Sequence, residues 1–139
     1  KDYIKGTFCM TYGDGLSNVN IQKLIQFHKS HGKLATLTAV QPEARWGALR
    51  IEEEHVKNFE EKPIGDGAWI NGGFFVLEPG VFDFINGDDC IWEDMVLKVL
   101  ALKSELIAFK HSGFWKPMDT LRDKLQLDSL AKLETPPWI

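Results

Sequence analysis

The sequence predicts an α/β fold with a mostly parallel sheet, and two features carry that prediction. Short apolar segments typical of strands alternate with segments in which apolar residues recur at helical spacing, except at one antiparallel hairpin. The chain has no internal repeat and no low-complexity segment. A length of 139 residues with 44% hydrophobic content is enough for one core. We therefore expect residues 1–139 to form a single domain.

The first forty residues predict a β-α-β unit. Residues 7–12 form an apolar strand, residues 20–31 carry apolar side chains at helical spacing, and residues 34–40 form a second strand. A helical crossover of this kind normally joins parallel neighbours in a sheet. The candidate caps of the helix are Asn18 or Asn20 at its start and Gly32 at its end.

The rest of the chain predicts a hairpin followed by alternating strands and helices. The hairpin comprises residues 46–51 and 56–61, and its charged tip, EEEH, is most simply a solvated surface. The other predicted elements are a strand over 68–77, a helix beginning at Pro79, a helix over 92–103, a strand over 105–110, a bend at 113–115 and a closing helix over 120–133.

Charge and cysteine content exclude several classes of function. A formal net charge of −4 and a pI near 5.5 leave no basic surface for nucleic acid or an anionic membrane. The sequence has no apolar run of membrane-spanning length and no signal-peptide pattern, so we expect a soluble protein. Cys9 and Cys90 lie far apart and favour a reducing, cytoplasmic setting. Because the first residue is Lys1, we expect the native start to lie outside this sequence.

Asp14 is the first candidate for a functional residue. It lies between two glycines directly after an apolar strand, in the segment FCMTYGDG. Parallel sheets bind ligands at the carboxyl ends of their strands, which favours an ion-binding role. A two-glycine turn is the competing interpretation, although a hairpin would require a second strand where a helix is predicted. The local sequence leaves both open.

Two further segments have a structural and a functional interpretation. Pro63 forces Lys62 into an extended conformation, from which its ammonium group could neutralise a phosphate, or the segment could be an ordinary surface turn. Asn71-Gly72-Gly73 interrupts an apolar strand. Glycines there could admit a ligand, with Asn71 contacting a sugar hydroxyl, or could mark a β-bulge.

Other polar and aromatic residues favour structural roles when judged locally. Asp119 or Thr120 is the expected N-cap of the last helix, with Asp123 completing a capping box. His28 and His31 are expected to be surface residues or residues that complement the helix dipole at its C-terminal end. The tryptophans expected to form core or pocket wall are Trp69, Trp92 and Trp115.

Six segments in order resemble the sugar-nucleotide pyrophosphorylases, and most closely the members of that family that use CTP and glucose 1-phosphate. They are YGDG, HGKLAT, RWGAL, EEKPIGDGAWINGGFFVLEP, IWED and FWKPMDTLRDK. The resemblance implies a Rossmann-like nucleotidyltransferase fold. It also implies formation of a CDP-sugar with release of pyrophosphate, assisted by Mg²⁺. The 139 residues would correspond to the sugar-phosphate-binding, C-terminal part of such a protein.

The resemblance also implies roles for individual residues. Asp14, Lys62 and Asp119 would be catalytic residues. Asp14 and Asp119 would be the carboxylate ligands of magnesium, and Lys62 would hold the phosphate of the sugar 1-phosphate. Residues implied in binding the sugar are Gly47, Glu61, Asn71, Gly72 and Glu93.

Two motifs of that family do not occur in this sequence. They are the glycine-rich G-G-x-G-T-R-L loop and the K-P-K-P-M segment, which hold the triphosphate and the base. We therefore expect little or no turnover by these residues alone. The alternatives are a non-catalytic module that binds sugar phosphate and Mg²⁺, or a structural dimerisation remnant. Without the preceding strands of the family fold, the edge of residues 7–12 would be bare, which predicts a homodimer.

Overall fold

The computed structural model describes residues 2–42, 48–60 and 68–139. Its strands are β1 (Phe8–Thr11), β2 (Gly15–Ser17), β3 (Ala35–Val40), β4 (Ala48–Glu52), β5 (His55–Glu60), β6 (Ile70–Leu77), β7 (Leu106–His111) and β8 (Trp115–Pro117). Its α-helices are α1 (Ile21–His31), α2 (Lys98–Leu102) and α3 (Leu121–Ala131). A 3₁₀ helix covers Pro79–Phe84, and a π-helical segment, Trp92–Leu97, leads directly into α2.

The main sheet has four strands in the order β1-β6-β3-β7. The prediction of an α/β fold is confirmed, but a mostly parallel sheet is wrong for this part of the chain. Strand β6 runs antiparallel to both of its neighbours, β1 and β3, and only β3 and β7 pair in parallel. The predicted pairing of the first two long strands is also wrong. The chain returns after the hairpin in the opposite direction, and β6 inserts between β1 and β3.

Helical segments cover both faces of this sheet. On one face Phe75 and Leu77 of β6 pack against Val81, Val96 and Leu100, and all five side chains are at most 1% exposed. On the other face α1 contacts β3, β6 and β7, with Leu24 buried. Phe8, Met10 and Tyr12 extend the first cluster toward the free end of β1. This packing fixes the position of the residues that follow β1.

The helix boundaries follow the predicted caps. The side chain of Asn20 accepts a hydrogen bond from the Lys23 amide, and Gly32 ends α1 in the left-handed conformation. At α3, the Thr120 hydroxyl accepts from the Asp123 amide while the Asp123 carboxylate accepts from the Thr120 amide. The capping box is therefore confirmed, and Thr120 rather than Asp119 is the N-cap.

The surface position predicted for His28 is wrong. His28 is 1% exposed and bonds to Thr36 at 2.8 Å and to Glu78 at 3.1 Å. The hydrogen bonds form a consistent chain. The Lys33 amide donates to Nδ1 of His31, whose Nε2 donates to the Thr36 hydroxyl at 2.7 Å. That hydroxyl can then donate to His28, which donates to Glu78.

This chain of hydrogen bonds predicts loss of stability in mild acid. Burial lowers the pKa of His31, and the neighbouring His28 and Lys33 lower it further, against an opposing effect of Glu105. The folded state therefore favours neutral imidazole, so this contribution is present above the unfolded pKa of about 6.5 and is lost as pH falls through the folded value. Urea titrations should give a lower free energy of unfolding at about pH 5 than at about pH 7.

The matched variant is His31→Asn, whose side-chain oxygen can replace Nδ1 as acceptor for the Lys33 amide. It should show a smaller difference between the two pH values than the parent. Glu78, whose pKa is lowered mainly by its hydrogen bond from Thr7, titrates in stronger acid, outside this window. An unchanged pH dependence in His31→Asn would rule out His31 as the source.

Candidate functional site

The candidate site begins where β1 ends. The backbone amide of Tyr12 donates to the carbonyl of Gly73 at 2.9 Å, which holds the end of this segment on the main sheet. After a bend at Gly13 and Asp14, the chain enters β2, which pairs with β8 in a separate two-stranded ribbon. Asp14 therefore lies at a junction between two sheets. It is not the turn of a hairpin, because β1 and β2 pair with different strands.

The structure brings the segments of Asp14 and Asp119 together. Gly15 pairs with Pro117, and the Met118 amide donates to the carbonyl of Asp14 at 2.8 Å. Asp119 is the next residue along the chain, and both aspartates are exposed. Because Thr120 caps α3, the carboxylate of Asp119 is not required for capping.

Carboxylates on two adjacent segments suit a hard cation that takes its other ligands from water and phosphate. No group of three or more histidine, cysteine, aspartate or glutamate side chains within residues 2–42, 48–60 and 68–139 could hold a metal. Carboxylate oxygens are ligands that Mg²⁺ accepts, and Mg²⁺ normally takes only one or two protein carboxylates. The pair of aspartates does not resemble the closed nitrogen and sulfur sites of structural zinc.

The Asn71-Gly72-Gly73 segment forms a β-bulge. The pairing of β3 with β6 shifts between Leu37 and Ala39, so that β6 contains two extra residues opposite Thr38. A Cβ atom on Gly72 would lie 2.9 Å from the Thr38 carbonyl oxygen. At Gly73, where φ is +77°, a Cβ atom would lie 2.7 Å from Cδ2 of Tyr12. Close packing of the protein on itself thus explains both glycines.

Tyr12 connects the bulge to the π-helical segment. The Asn71 amide nitrogen donates to the Tyr12 hydroxyl at 2.9 Å, and that hydroxyl in turn donates to the Glu93 carboxylate. The side-chain oxygen of Asn71 accepts from the Gly73 amide at 2.9 Å. Two of the residues implied by the resemblance, Asn71 and Glu93, are therefore held by one phenol.

The electrostatics at Tyr12 favour its protonated form. Burial, the hydrogen bond to Glu93 and the negative charges of Glu93 and Asp14 raise the pKa of Tyr12 to about 12, against an opposing effect of the Asn71 hydrogen bond. The phenol is consequently a donor throughout the neutral range. Sequence reasoning missed Tyr12, because a tyrosine at the end of an apolar run is typical of an ordinary strand terminus.

The tryptophans have different roles. Trp92 lines a cavity of about 380 Å³ together with Met10, Tyr12 and Cys90, as predicted for a pocket wall. Trp115 donates from its indole nitrogen to the Gly72 carbonyl at 2.7 Å and so connects the ribbon to the bulge. Trp69 is 40% exposed and lies 5.1 Å from the Lys110 ammonium, measured to the ring centroid, so of the two predicted positions, core or pocket wall, the core is excluded.

The described residues thus gather five of the predicted site residues around the end of β1. Asp14 and Asp119 lie on the ribbon side, and the bulge side contributes three residues, Asn71, Gly72 and Glu93. The hydrogen bond between Trp115 and Gly72 connects the two sides. Gly47, Glu61 and Lys62 lie outside the described residues.

This mixed sheet with helices on both faces belongs to the α/β class with a Rossmann-like nucleotidyltransferase fold. Residues 1–125 match the model of the nucleotidyl transferase family. The chain therefore belongs to the nucleotidyl transferase family, and the family resemblance predicted from six sequence segments is confirmed.

Relatives of this chain are sugar-1-phosphate nucleotidyltransferases. The chain is 53% identical to glucose-1-phosphate cytidylyltransferase of Salmonella typhi over 99% of its length and 54% of that protein. It is 33% identical to mannose-1-phosphate guanylyltransferase 1 of Arabidopsis thaliana over 90% of its length and 37% of that protein. The chain therefore spans about half, or less, of the length of these relatives.

Solved structures share the fold at low sequence identity. HddC from Yersinia pseudotuberculosis, whose structure was determined with GMP-PN, superposes with a TM-score of 0.64 at 20% identity. The match covers 94% of this chain and 58% of HddC. Within the part of the chain that the structure describes, no helix has the length and apolar character needed to cross a membrane.

Proposed function

We propose that this chain provides the metal-binding and sugar-phosphate-binding side of a sugar-1-phosphate nucleotidyltransferase, with glucose 1-phosphate and CTP as the substrates. The observation that carries the proposal is the hydrogen bond between Met118 and Asp14, which sets Asp119 beside Asp14 at the end of β1. The similarity to a glucose-1-phosphate cytidylyltransferase supports the choice of substrates. A cytoplasmic location stays a prediction from the cysteine pattern.

The proposed reaction is a transfer of a cytidylyl group. An oxygen of the sugar phosphate forms a bond to the α-phosphorus of CTP, the bond from that phosphorus to the bridging oxygen breaks, and pyrophosphate leaves with the electron pair. Four phosphate groups must come together for this step, so their negative charge has to be neutralised. Positioning and charge neutralisation are then the main tasks of the protein.

The proposed roles of the residues follow from their chemistry. Asp14 and Asp119 would hold Mg²⁺, which when bound offsets phosphate charge. Lys62 would bind the phosphate of the sugar as a point charge. Residues proposed to bind glucose hydroxyls are Glu61, Asn71 and Glu93, and backbone proposed to line the sugar is at Gly47 and Gly72.

The nucleotide side of the reaction has no counterpart of the glycine-rich motif among these residues. We therefore expect the 139 residues to bind glucose 1-phosphate and Mg²⁺ but to release little or no pyrophosphate from CTP. Binding without release of pyrophosphate would distinguish a substrate-binding part of an enzyme from an enzyme that is active alone. Turnover comparable to that of full-length relatives would contradict it.

Isothermal titration calorimetry tests the proposed function. The parent should bind glucose 1-phosphate in the presence of Mg²⁺ at millimolar or lower concentration. Lys62→Ala should weaken the binding of glucose 1-phosphate by about tenfold through loss of one charged contact, and leave Mg²⁺ binding intact. If the parent binds neither ligand at millimolar concentration, the proposal is wrong and a structural role is favoured.

The free edge of β1 supports a proposal of a homodimer. Within the described residues β1 pairs only with β6, so the other edge of its backbone is available to a second chain. Light scattering coupled to size exclusion should give a mass near twice 15.8 kDa, and Thr11→Lys, which adds a charge to the exposed side of β1, should shift it toward one chain. A monomeric parent at micromolar concentration would contradict the dimer.

A further inference from the structure

We infer that Tyr12 is a positioning residue that orients Asn71 and Glu93 so that together they recognise a sugar hydroxyl. This inference rests on the proposed function and deepens it, since it assigns a cause to the orientation of two sugar-side groups. Tyr12 lies at the end of β1, Asn71 lies at the bulge of β6, and Glu93 lies in the π-helical segment. The phenol is the point at which these three elements meet through side chains.

The direction of each hydrogen bond follows from the groups involved. The Asn71 amide nitrogen can only donate, so the Tyr12 oxygen accepts at 2.9 Å. The Tyr12 hydrogen is then available for the Glu93 carboxylate, which can only accept. The amide assignment of Asn71 is fixed independently, because its oxygen accepts from the Gly73 backbone at 2.9 Å. The orientation of all three side chains is therefore determined by one consistent set of bonds.

The hydrogen bonds to Tyr12 use one of the two amide hydrogens of Asn71 and one of the two carboxylate oxygens of Glu93. The second amide hydrogen of Asn71 and the second oxygen of Glu93 take no hydrogen bond from the residues that the structure describes. A sugar hydroxyl both accepts and donates, so it can accept from Asn71 and donate to Glu93. A phosphate group, which only accepts, would meet the carboxylate unfavourably. The pair therefore selects the polyol part of a sugar phosphate.

The packing of the ring keeps the hydroxyl in place. The Tyr12 ring meets the Phe75 ring edge to face, with centroids 5.4 Å apart, and Phe75 is 1% exposed. On the backbone side, the absence of a side chain at Gly73 admits the ring, and the Tyr12 amide bonds to the Gly73 carbonyl. A phenylalanine would retain the ring contacts and lose only the hydroxyl.

The test compares ligands with and without a sugar on the full chain. Tyr12→Phe should weaken the binding of glucose 1-phosphate about tenfold, as expected for loss of a hydrogen bond to a charged group. It should leave the affinities for Mg²⁺ and for inorganic phosphate within about twofold of the parent, whereas a general structural defect would lower all three. Tyr3→Phe is the matched control, because Tyr3 is 97% exposed.

A double variant keeps the inference falsifiable if Tyr12→Phe also affects folding. Glu93→Ala removes the acceptor of the Tyr12 hydroxyl. Because part of the Tyr12 effect acts through Glu93, Tyr12→Phe combined with Glu93→Ala should weaken glucose 1-phosphate binding by less than the product of the two single losses. The positioning role alone would be overturned if the two losses of binding free energy simply added in the double variant. It would also be overturned if Tyr12→Phe bound glucose 1-phosphate as the parent does. A parent that binds no glucose 1-phosphate would overturn the proposed function as well.

Discussion

Gly73→Ala is expected to destabilise the fold by about 3 kcal/mol, which combines backbone strain with overpacking. The φ of Gly73 is +77°, a conformation that an alanine adopts only with strain. Its Cβ atom would also lie 2.7 Å from Cδ2 of Tyr12 and 3.2 Å from Cγ of the same ring. The ring cannot retreat easily because it packs against Phe75. Urea unfolding monitored by circular dichroism gives the change in free energy of unfolding.

Variants at two other glycines separate the effect of backbone strain from the effect of overpacking. Gly87 has a φ of +91° with nothing within 4 Å of the added Cβ atom, so Gly87→Ala should cost only the strain, about 1 kcal/mol. Gly6 has neither a positive φ nor a neighbour within 4 Å, so Gly6→Ala should be nearly neutral. If Gly73→Ala cost no more than Gly87→Ala, the close packing of Tyr12 on the bulge would not be the reason for that glycine.

Asp14→Asn is expected to weaken Mg²⁺ binding by roughly tenfold or more, because the amide removes one of the two charges offered to the ion. Asp119→Asn should have an effect of similar size. Both side chains are exposed, and the hydrogen bond from Met118 reaches the backbone of Asp14, so neither change should disturb the pairing of β2 with β8. Calorimetric titration with Mg²⁺ in the presence of glucose 1-phosphate measures the loss.

Asp83→Asn is the matched control for this pair. Asp83 is an exposed carboxylate in the 3₁₀ helix, outside the candidate site, and its replacement makes the same change in net charge. It should leave the affinity for Mg²⁺ unchanged. Equal losses in Asp83→Asn and Asp14→Asn would mean that the ion responds to the overall charge of the protein and not to a site at the end of β1.

Local chemistry made the helix boundaries predictable. The capping residues Asn20 and Thr120 and the left-handed Gly32 act within one turn of the helix that they begin or end. The hairpin was predictable for the same reason, since β4 and β5 are joined by a short charged tip.

Strand order was not predictable from the same signals. An apolar segment such as β6 shows that a strand is buried, and the direction in which it pairs depends on the path of the chain through residues far away in sequence. A β-α-β pattern is compatible with strands that are not adjacent, and here β6 separates β1 from β3. The alternation of elements therefore determined the class of fold but not the arrangement of the sheet.

The site shows the same division between local and distant information. The family motifs predicted Asp14, Asn71 and Glu93, but they did not indicate that Tyr12 bonds to two of these. The surface position predicted for His28 is wrong because its partners Thr36 and Glu78, which lie in β3 and directly after β6, are distant from it in sequence. Residues whose role depends on several distant partners have no signature in a short segment.

A binding site at the end of β1 is tested most directly by nuclear magnetic resonance. Backbone amide chemical shifts of the isotope-labelled chain are mapped on adding glucose 1-phosphate and Mg²⁺. We expect the amides of residues 12–15, 71–73 and 118–120 to shift together, since they surround the end of β1. Shifts confined to the exposed hairpin of β4 and β5, or no shifts at all, would contradict a site formed by Asp14, Asp119 and Asn71.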